Sequence, residues 1–216
     1  MGIAERRARE KEELRAKILE AAGELFVEQG FESVSLRKIA DRIEYSPATI
    51  YLYFKDKEEL ITTLCGETFA QLLASLLEFE RTEGDPLTKL RAGLRFYIDF
   101  GLEHPNHYVL TFCTPHQHYQ LENTPEFETT NRTALETFDC LRRSLQRCRD
   151  AQLLDFKDLE ETAQTVWMFM HGTVSLLILN YGDPHFPWCD KERLIENSLD
   201  MILASLRPAA ASVLSN

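Results

Sequence analysis

"SLRKIADRIEYSPATIYLYFKDKEEL", Ser35 to Leu60, is the stretch that decides how the rest of the chain is read. Its signals are short-range and dense. Ser46 is placed to cap a helix and Pro47 sits at the first helical position, where the missing N–H costs nothing. This predicts two very short helices, about 35–42 and 47–53, joined by a brief turn. Asp56 then caps a long helix reaching about Arg81, with Glu59 three residues on as in a capping box. Tyr51, Tyr53 and Phe54 crowd three rings into four positions. Ile39, Ile50 and Phe54 are expected in the core of a three-helix unit, which leaves the phenols for another role.

Outward from this stretch almost everything reads as helix, and no run alternates at period two for long enough to form a strand. The fold class expected is all-α. Residues 4–29 carry Leu14, Ile18, Ala21, Ala22, Leu25 and Phe26 at three-and-four spacing, with Gly30 where a helix C-cap wants it. Asp85-Pro86 opens a helix to about Glu103 whose inner face is marked by Leu87, Leu90, Leu94, Tyr97, Ile98 and Gly101. Pro105 starts a short helix to roughly Cys113. Thr124-Pro125 starts one to about Asp150, Asp155 one to about Tyr181, and Asp190 one to Leu206 before Pro208. The division expected is a reading domain at 1–57, a ligand-binding and dimerisation domain at 58–208, and a tail at 209–216.

A chain of 216 residues with 44% apolar and 27% charged residues is a folded globular protein. The net charge of −11 argues at first against a polyanion partner, but it is unevenly spread. Residues 1–60 hold 11 Lys+Arg and 13 Asp+Glu, so −2, and the remaining 13 and 22 give −9. Arg6, Arg7, Arg9, Lys11, Arg15 and Lys17 cluster near the start, and Arg37, Lys38 and Arg42 lie close together, so a local basic face is possible on an acidic chain. Five cysteines at irregular spacing and a charged N-terminus without an apolar signal core fit a reducing cytoplasm. The apolar run Thr165 to Tyr181 contains His171, Gly172, Ser175 and Asn180 and reads as a buried helix, not a membrane span.

Two short helices docked on a longer one are the layout of a helix-turn-helix. The residues go further. "GFESVSLRKIADRIEYSPATIYLYFKDKEEL", Gly30 to Leu60, resembles the DNA-binding signature of the TetR family of bacterial one-component regulators. The resemblance implies a helical N-terminal reader, a divergent helical ligand-binding domain and a homodimer that leaves a double-stranded DNA operator when a small-molecule effector binds. It is read as a repressor, with no catalytic activity and no cofactor. It also implies roles for residues. Tyr51, Tyr53 and Lys57 touch phosphate, with Ser35 and Ser46 on the same DNA-facing set. Pro47, Ala48 and Thr49 approach base edges, and Arg37 stands where guanine can be reached. One residue departs from the family pattern: Glu44 stands where the turn usually has Gly. If that position takes positive φ, Glu costs on the order of 1 kcal/mol.

The later chain, through "HPNHYVLTF" and Trp167, His171 and Gly172, resembles a C-terminal subgroup marked by Trp, His and Gly on one helix. Trp167, Met170 and His171 share a helix face with Val174, Ile178 and Tyr181, and with Tyr97, Phe112 and Phe138 they are expected to line an aromatic pocket for an apolar or aromatic effector. Each ring is also an ordinary core candidate. Met168, Gly172, Ser175 and Leu179 share another face, where Gly172 and Ser175 allow close approach of a partner helix. With Leu199 and Ile202 of the last helix they are expected at a dimer interface. Cys113, His116 and His118 lie close together but lack paired zinc-ligand spacing, so no metal site is expected. No Ser-His-Asp elbow or Gly-rich phosphate loop is present in the sequence.

Overall fold

The computed structural model describes residues 2–114 and 124–208. All regular elements among the described residues are helical, so the expected all-α class holds. The tail 209–216, like His116 and His118, lies outside the described residues. The helices are α1 (Ile3–Gln29), α2 (Leu36–Arg42), α3 (Pro47–Tyr51), α4 (Lys57–Arg81), α5 (Pro86–Glu103), α6 (Pro105–Tyr108), α7 (Pro125–Asp150), α8 (Leu159–Leu179) and α9 (Lys191–Ser205). They pack as two compact units, one of Met1–Phe69 with Asn106–Arg132 and one of Ala70–Pro105 with Thr133–Asn216.

Cap chemistry sets most boundaries in the first unit. Ser35 and Ser46 accept the N–H of Lys38 at 3.3 Å and of Thr49 at 3.2 Å. Asp56 accepts the N–H of Glu59 at 2.7 Å, while the Glu59 carboxylate reaches back to the Lys55 N–H at 2.7 Å. Each bond satisfies a donor that a helix start otherwise leaves open. Gly30 ends α1 with φ 78°, its N–H donating to the Phe26 carbonyl. A single 3-10 turn, Phe31–Ser33, follows.

The core of this unit joins Ile18, Ala22 and Phe26 of α1 to Leu36, Ile39, Ile50, Phe54 and Leu60. Leu110 joins it from the later segment. The short helix expected to run from Pro105 to Cys113 is α-helical only to Tyr108 and then widens into a π turn, Val109–Cys113. With that widening Tyr108, Leu110 and Thr111 are all buried.

Glu44 has φ 62°, the left-handed conformation that Gly would adopt without strain. It closes the end of α2, followed by a bond from the Tyr45 N–H to the Ala40 carbonyl at 3.0 Å. Glu44→Gly is therefore expected to stabilise the chain by about 0.5–1 kcal/mol, the relief of the left-handed strain exceeding the extra entropy Gly gives the unfolded chain. Urea unfolding of the two proteins side by side measures it, and an unchanged or lower midpoint would contradict it.

In the second unit α5, α8 and α9 pack on one another. Leu90, Leu94, Ile98 and Phe100 of α5 are buried, as are Ala163, Val166, Met170 and Val174 of α8 and Ile195, Leu199, Ile202 and Leu203 of α9. Arg91 reaches Glu196 at 2.6 Å and Asp200 at 2.9 Å, and Arg95 reaches Glu196 at 2.7 Å together with Glu192. The hydrogen bonds from Arg91 and Arg95 hold the Glu196 carboxyl below its usual range. These groups are largely hydrated, so they fix which turns of α5 and α9 face each other and add little stability.

The start of α8 differs from expectation. Asp158, not Asp155, is the cap, accepting the Glu161 N–H at 2.7 Å. The Asp155 N–H instead donates to the Leu206 carbonyl at 2.8 Å, a tertiary bond that keeps the segment before Asp158 out of the helix. By length and composition both α4 and α8 could cross a membrane, with mean hydropathy 1.4 and 1.2. In α8 the apolar surplus is divided between a buried face and exposed Met168, Leu176 and Leu179.

Candidate nucleic-acid interface and effector helices

The first unit sorts the side chains of Ser35 to Leu60 by depth. Leu36, Ile39, Ala40, Ile43, Ile50 and Phe54 are buried, which leaves the other faces of α2 and α3 to solvent. Ser35, Arg37, Ser46, Ala48 and Tyr51 are exposed, and Pro47, Thr49, Tyr53 and Lys57 are half-buried. Tyr51 is 61% exposed although it is aromatic. Its ring and hydroxyl are therefore open to a partner on that face.

The cations of this face are not equivalent. Lys38 donates to the Gln29 side chain at 2.9 Å and to the Ser33 carbonyl at 2.8 Å, so it ties the end of α1 to the start of α2. Arg42 pairs with Glu28 at 2.7 Å and Glu24 at 3.1 Å, and its hydrogen bond to Glu28 holds the guanidinium's pKa above its ordinary value. Arg37 makes no ion pair or hydrogen bond with another described residue and projects from the first turn of α2. It is the exposed cation of α2 with its donors uncommitted.

Lys57 has a structural task that the sequence did not reveal. Its Nζ donates to the Phe31 carbonyl at 3.1 Å, lies 4.2 Å from the centre of the Phe31 ring and is 3.6 Å from the Glu32 carboxylate. The start of α4 is thereby pinned to the 3-10 turn. An ammonium has three donors and the carbonyl takes one. Thr49 is also partly occupied, its hydroxyl lying 2.9 Å from the Ser46 hydroxyl.

In the second unit three of the expected pocket residues come together. The Phe138 and Trp167 rings meet edge-on at 6.4 Å, and Trp167 stacks on His171 at 5.6 Å. Burial pushes the His171 imidazole below its ordinary value, so it is neutral near pH 7. Tyr97 is half-buried on α5, and Met170 is buried within the helix-packing core. Phe112 belongs to the first unit, where it packs 4.8 Å from Tyr108 and 5.2 Å from Phe69.

The interface residues divide as well. At 100° per residue Met168, Gly172, Ser175 and Leu179 fall within about 60° of one another on α8. Met168 and Leu179 are exposed, Gly172 and Ser175 half-buried, and the space over the Gly172 Cα is open within 4 Å. Leu199 and Ile202 are instead buried in the core of their own unit, because α9 turns them toward α5 and α8. On α9 it is Met201 that is offered outward, 66% exposed. Among the described residues no three His, Cys, Asp or Glu side chains are grouped to hold a metal ion.

Comparison with known proteins adds an independent line. Residues 18–64 match the family described as bacterial regulatory proteins, tetR family, and residues 90–206 match the tetracyclin repressor-like C-terminal domain. The HTH-type transcriptional regulator AcrR of Shigella flexneri is 26% identical over 181 residues, 83% of each chain. The HTH-type transcriptional activator FasR of Mycolicibacterium smegmatis is 32% identical over 94 residues, 44% of this chain and 42% of that one. In fold the chain is similar to the TetR family regulator PfmR of Thermus thermophilus, with a TM-score of 0.72 at 22% identity, covering 87% of this chain and 97% of the other.

Proposed function

The chain belongs to the TetR family of bacterial transcriptional regulators, and from that premise we propose that it is a repressor, bound to its operator as a homodimer and released by a small apolar or aromatic effector. Residues 1–57 read DNA; residues 58–208 bind the effector and dimerise. The observation that carries the reading is the sorting of the two short helices. Ile39 and Ile50 are fully buried, while Arg37, Ala48 and Tyr51 stand exposed on the other side.

The division of labour follows from chemistry. Arg37 meets a guanine edge, Pro47, Ala48 and Thr49 approach bases closely, and Ser35, Ser46, Tyr51, Tyr53 and the spare donors of Lys57 hold phosphates. Two reading helices about 34 Å apart enter successive major grooves on one face of the duplex. An effector that prefers another spacing shifts the population off DNA by no more than its differential affinity for the two states. The Phe138–Trp167–His171 stack, with a neutral imidazole, suits a flat, uncharged effector. Trp167, His171 and Gly172 also keep the pattern of the Trp-His-Gly subgroup. The protein works in the cytoplasm, where its operator is, and needs neither cofactor nor catalysis.

Enrichment from a random duplex library tests this, followed by footprinting on the DNA upstream of the gene. A short protected palindrome is expected. Arg37→Ala should relax base preference, at about 1–3 kcal/mol for the position it reads, whereas Lys57→Ala should weaken all sequences alike and lower the salt slope by about one per protomer. A protein that enriches no sequence at moderate salt is not this regulator. Because the relative FasR is named an activator, the sign is tested separately: repression requires expression from the protected promoter to rise when the gene is deleted.

A further inference from the structure

A second feature of the first unit stands outside every role assigned so far. Between the first turns of α1 and the end of α3 lies an open cleft of about 660 Å³ lined by Arg7, Glu10, Lys11, Leu14, Tyr45, Leu52 and Tyr53. Arg7, Lys11 and Leu14 are spaced to share one face of α1. The neighbouring cations each have an acidic neighbour one turn on, Arg6 beside Glu10 and Arg9 beside Glu13, each at 3.4 Å in a hydrated pair. No ion pair or hydrogen bond joins Arg7 or Lys11 to another described residue, nor engages the hydroxyl of Tyr45 or Tyr53. Leu52, at the rim, is 79% exposed. Two uncommitted cations and two uncommitted phenols, with Glu10 beside Arg6 as the one acid, thus border a cleft with an apolar lip, on a chain of net charge −11.

We propose that this cleft holds the sugar-phosphate backbone of one DNA strand just beyond the bases read by α3. The inference rests on the reading of this unit as a DNA reader. Charge complementarity and continuity argue for this occupant. Tyr53 lines the cleft and also belongs to the phosphate-facing set, so a strand that passes Tyr51 is led past Leu52 toward Arg7 and Lys11. Phosphate oxygens accept from the two cations and the phenols, while a deoxyribose face covers Leu52 and Leu14. Such contacts lengthen the footprint and add affinity without adding base preference.

The test uses the full-length protein and a 40-bp duplex enriched from a random library by the wild type. Each phosphate contact contributes about 0.9 to the slope of log K against log salt, and a dimer makes each contact twice, so Arg7→Gln and Lys11→Gln should each lower it by about 1.8 and the double variant by about 3.6. Arg9→Gln, an equal change in net charge at a paired residue, should leave the slope unchanged. Hydroxyl-radical protection should be lost at the outer backbone edge of the site in the double variant. Equal slopes in all proteins would overturn the proposal, and so would loss of an A·T preference at flanking positions, which would place the side chains in the minor groove. Both outcomes leave DNA binding itself intact. A wild type that enriches no sequence would instead remove the reading on which the proposal stands, and the proposal with it.

Discussion

Phe54→Ala is expected to destabilise the DNA-reading unit by about 3–5 kcal/mol and, through that, to weaken DNA binding. Phe54 is 3% exposed and packs in the core shared by α1, α2 and α3, with the Arg15 guanidinium 5.6 Å over its ring. Truncating a buried Phe costs about 3–5 kcal/mol, the lost transfer energy plus the cavity left behind. Against a whole-domain stability of about 5–15 kcal/mol that removes most of what holds a unit at the lower end of the range and a large share elsewhere. Phe54→Leu keeps most of the volume and should cost under about 1.5 kcal/mol. The contrast with Tyr51 isolates the mechanism. Tyr51→Phe removes one exposed hydroxyl, so urea unfolding should be unchanged while affinity for any duplex falls by roughly tenfold, the worth of a hydrogen bond to a charged group. If Phe54→Ala leaves the unfolding curve in place and weakens only DNA binding, the ring faces the ligand and the packing argument is mistaken.

That contrast also marks where sequence sufficed. Helix starts were legible because capping is settled within three or four residues: Ser35, Ser46, Asp56, Asp85 and Asp190 each accept the N–H that their spacing predicts. The buried set Ile39, Ile50 and Phe54 was legible from residue type, large apolar side chains standing among the polar residues of α2, α3 and the turn after it. What escaped depends on partners distant in the chain. Asp155 and Asp158 are equal cap candidates by type, and only the bond from Asp155 to Leu206 decides between them. Lys57 reads as a free cation until the 3-10 turn brings the Phe31 carbonyl and ring beneath it. Helical register suggests the i,i+4 pairs Arg6–Glu10 and Arg9–Glu13, but not that Arg7 and Lys11 border a cleft with Tyr45, Leu52 and Tyr53, which the tertiary packing of the unit decides. The fold of this unit is local in origin, and the surroundings of its cations are not.

The dimer gives the second large effect, and the burial of Leu199 and Ile202 decides how to probe it. Leu176→Glu combined with Leu179→Glu replaces two side chains that are 53% and 57% exposed on α8, so the single chain should lose no more than about 0.5 kcal/mol per site. If the exposed stripe of α8 with Met201 of α9 meets a second copy, the same change buries four carboxylates across a two-fold axis, and sedimentation should show a monomer. A monomer holds one half-site. The affinity for a palindromic site should then fall by about 10²–10⁴, the gain that a tethered second reader supplies, while affinity for an isolated half-site is unchanged. Leu199→Ala is the counter-test, because Leu199 is 0% exposed: about 2–5 kcal/mol of stability should be lost, and the dimer should weaken only as far as the fold does. A dimer that survives both Glu substitutions but separates on Leu199→Ala with an unaltered unfolding midpoint would mean that α9 rotates on association and presents its inner face.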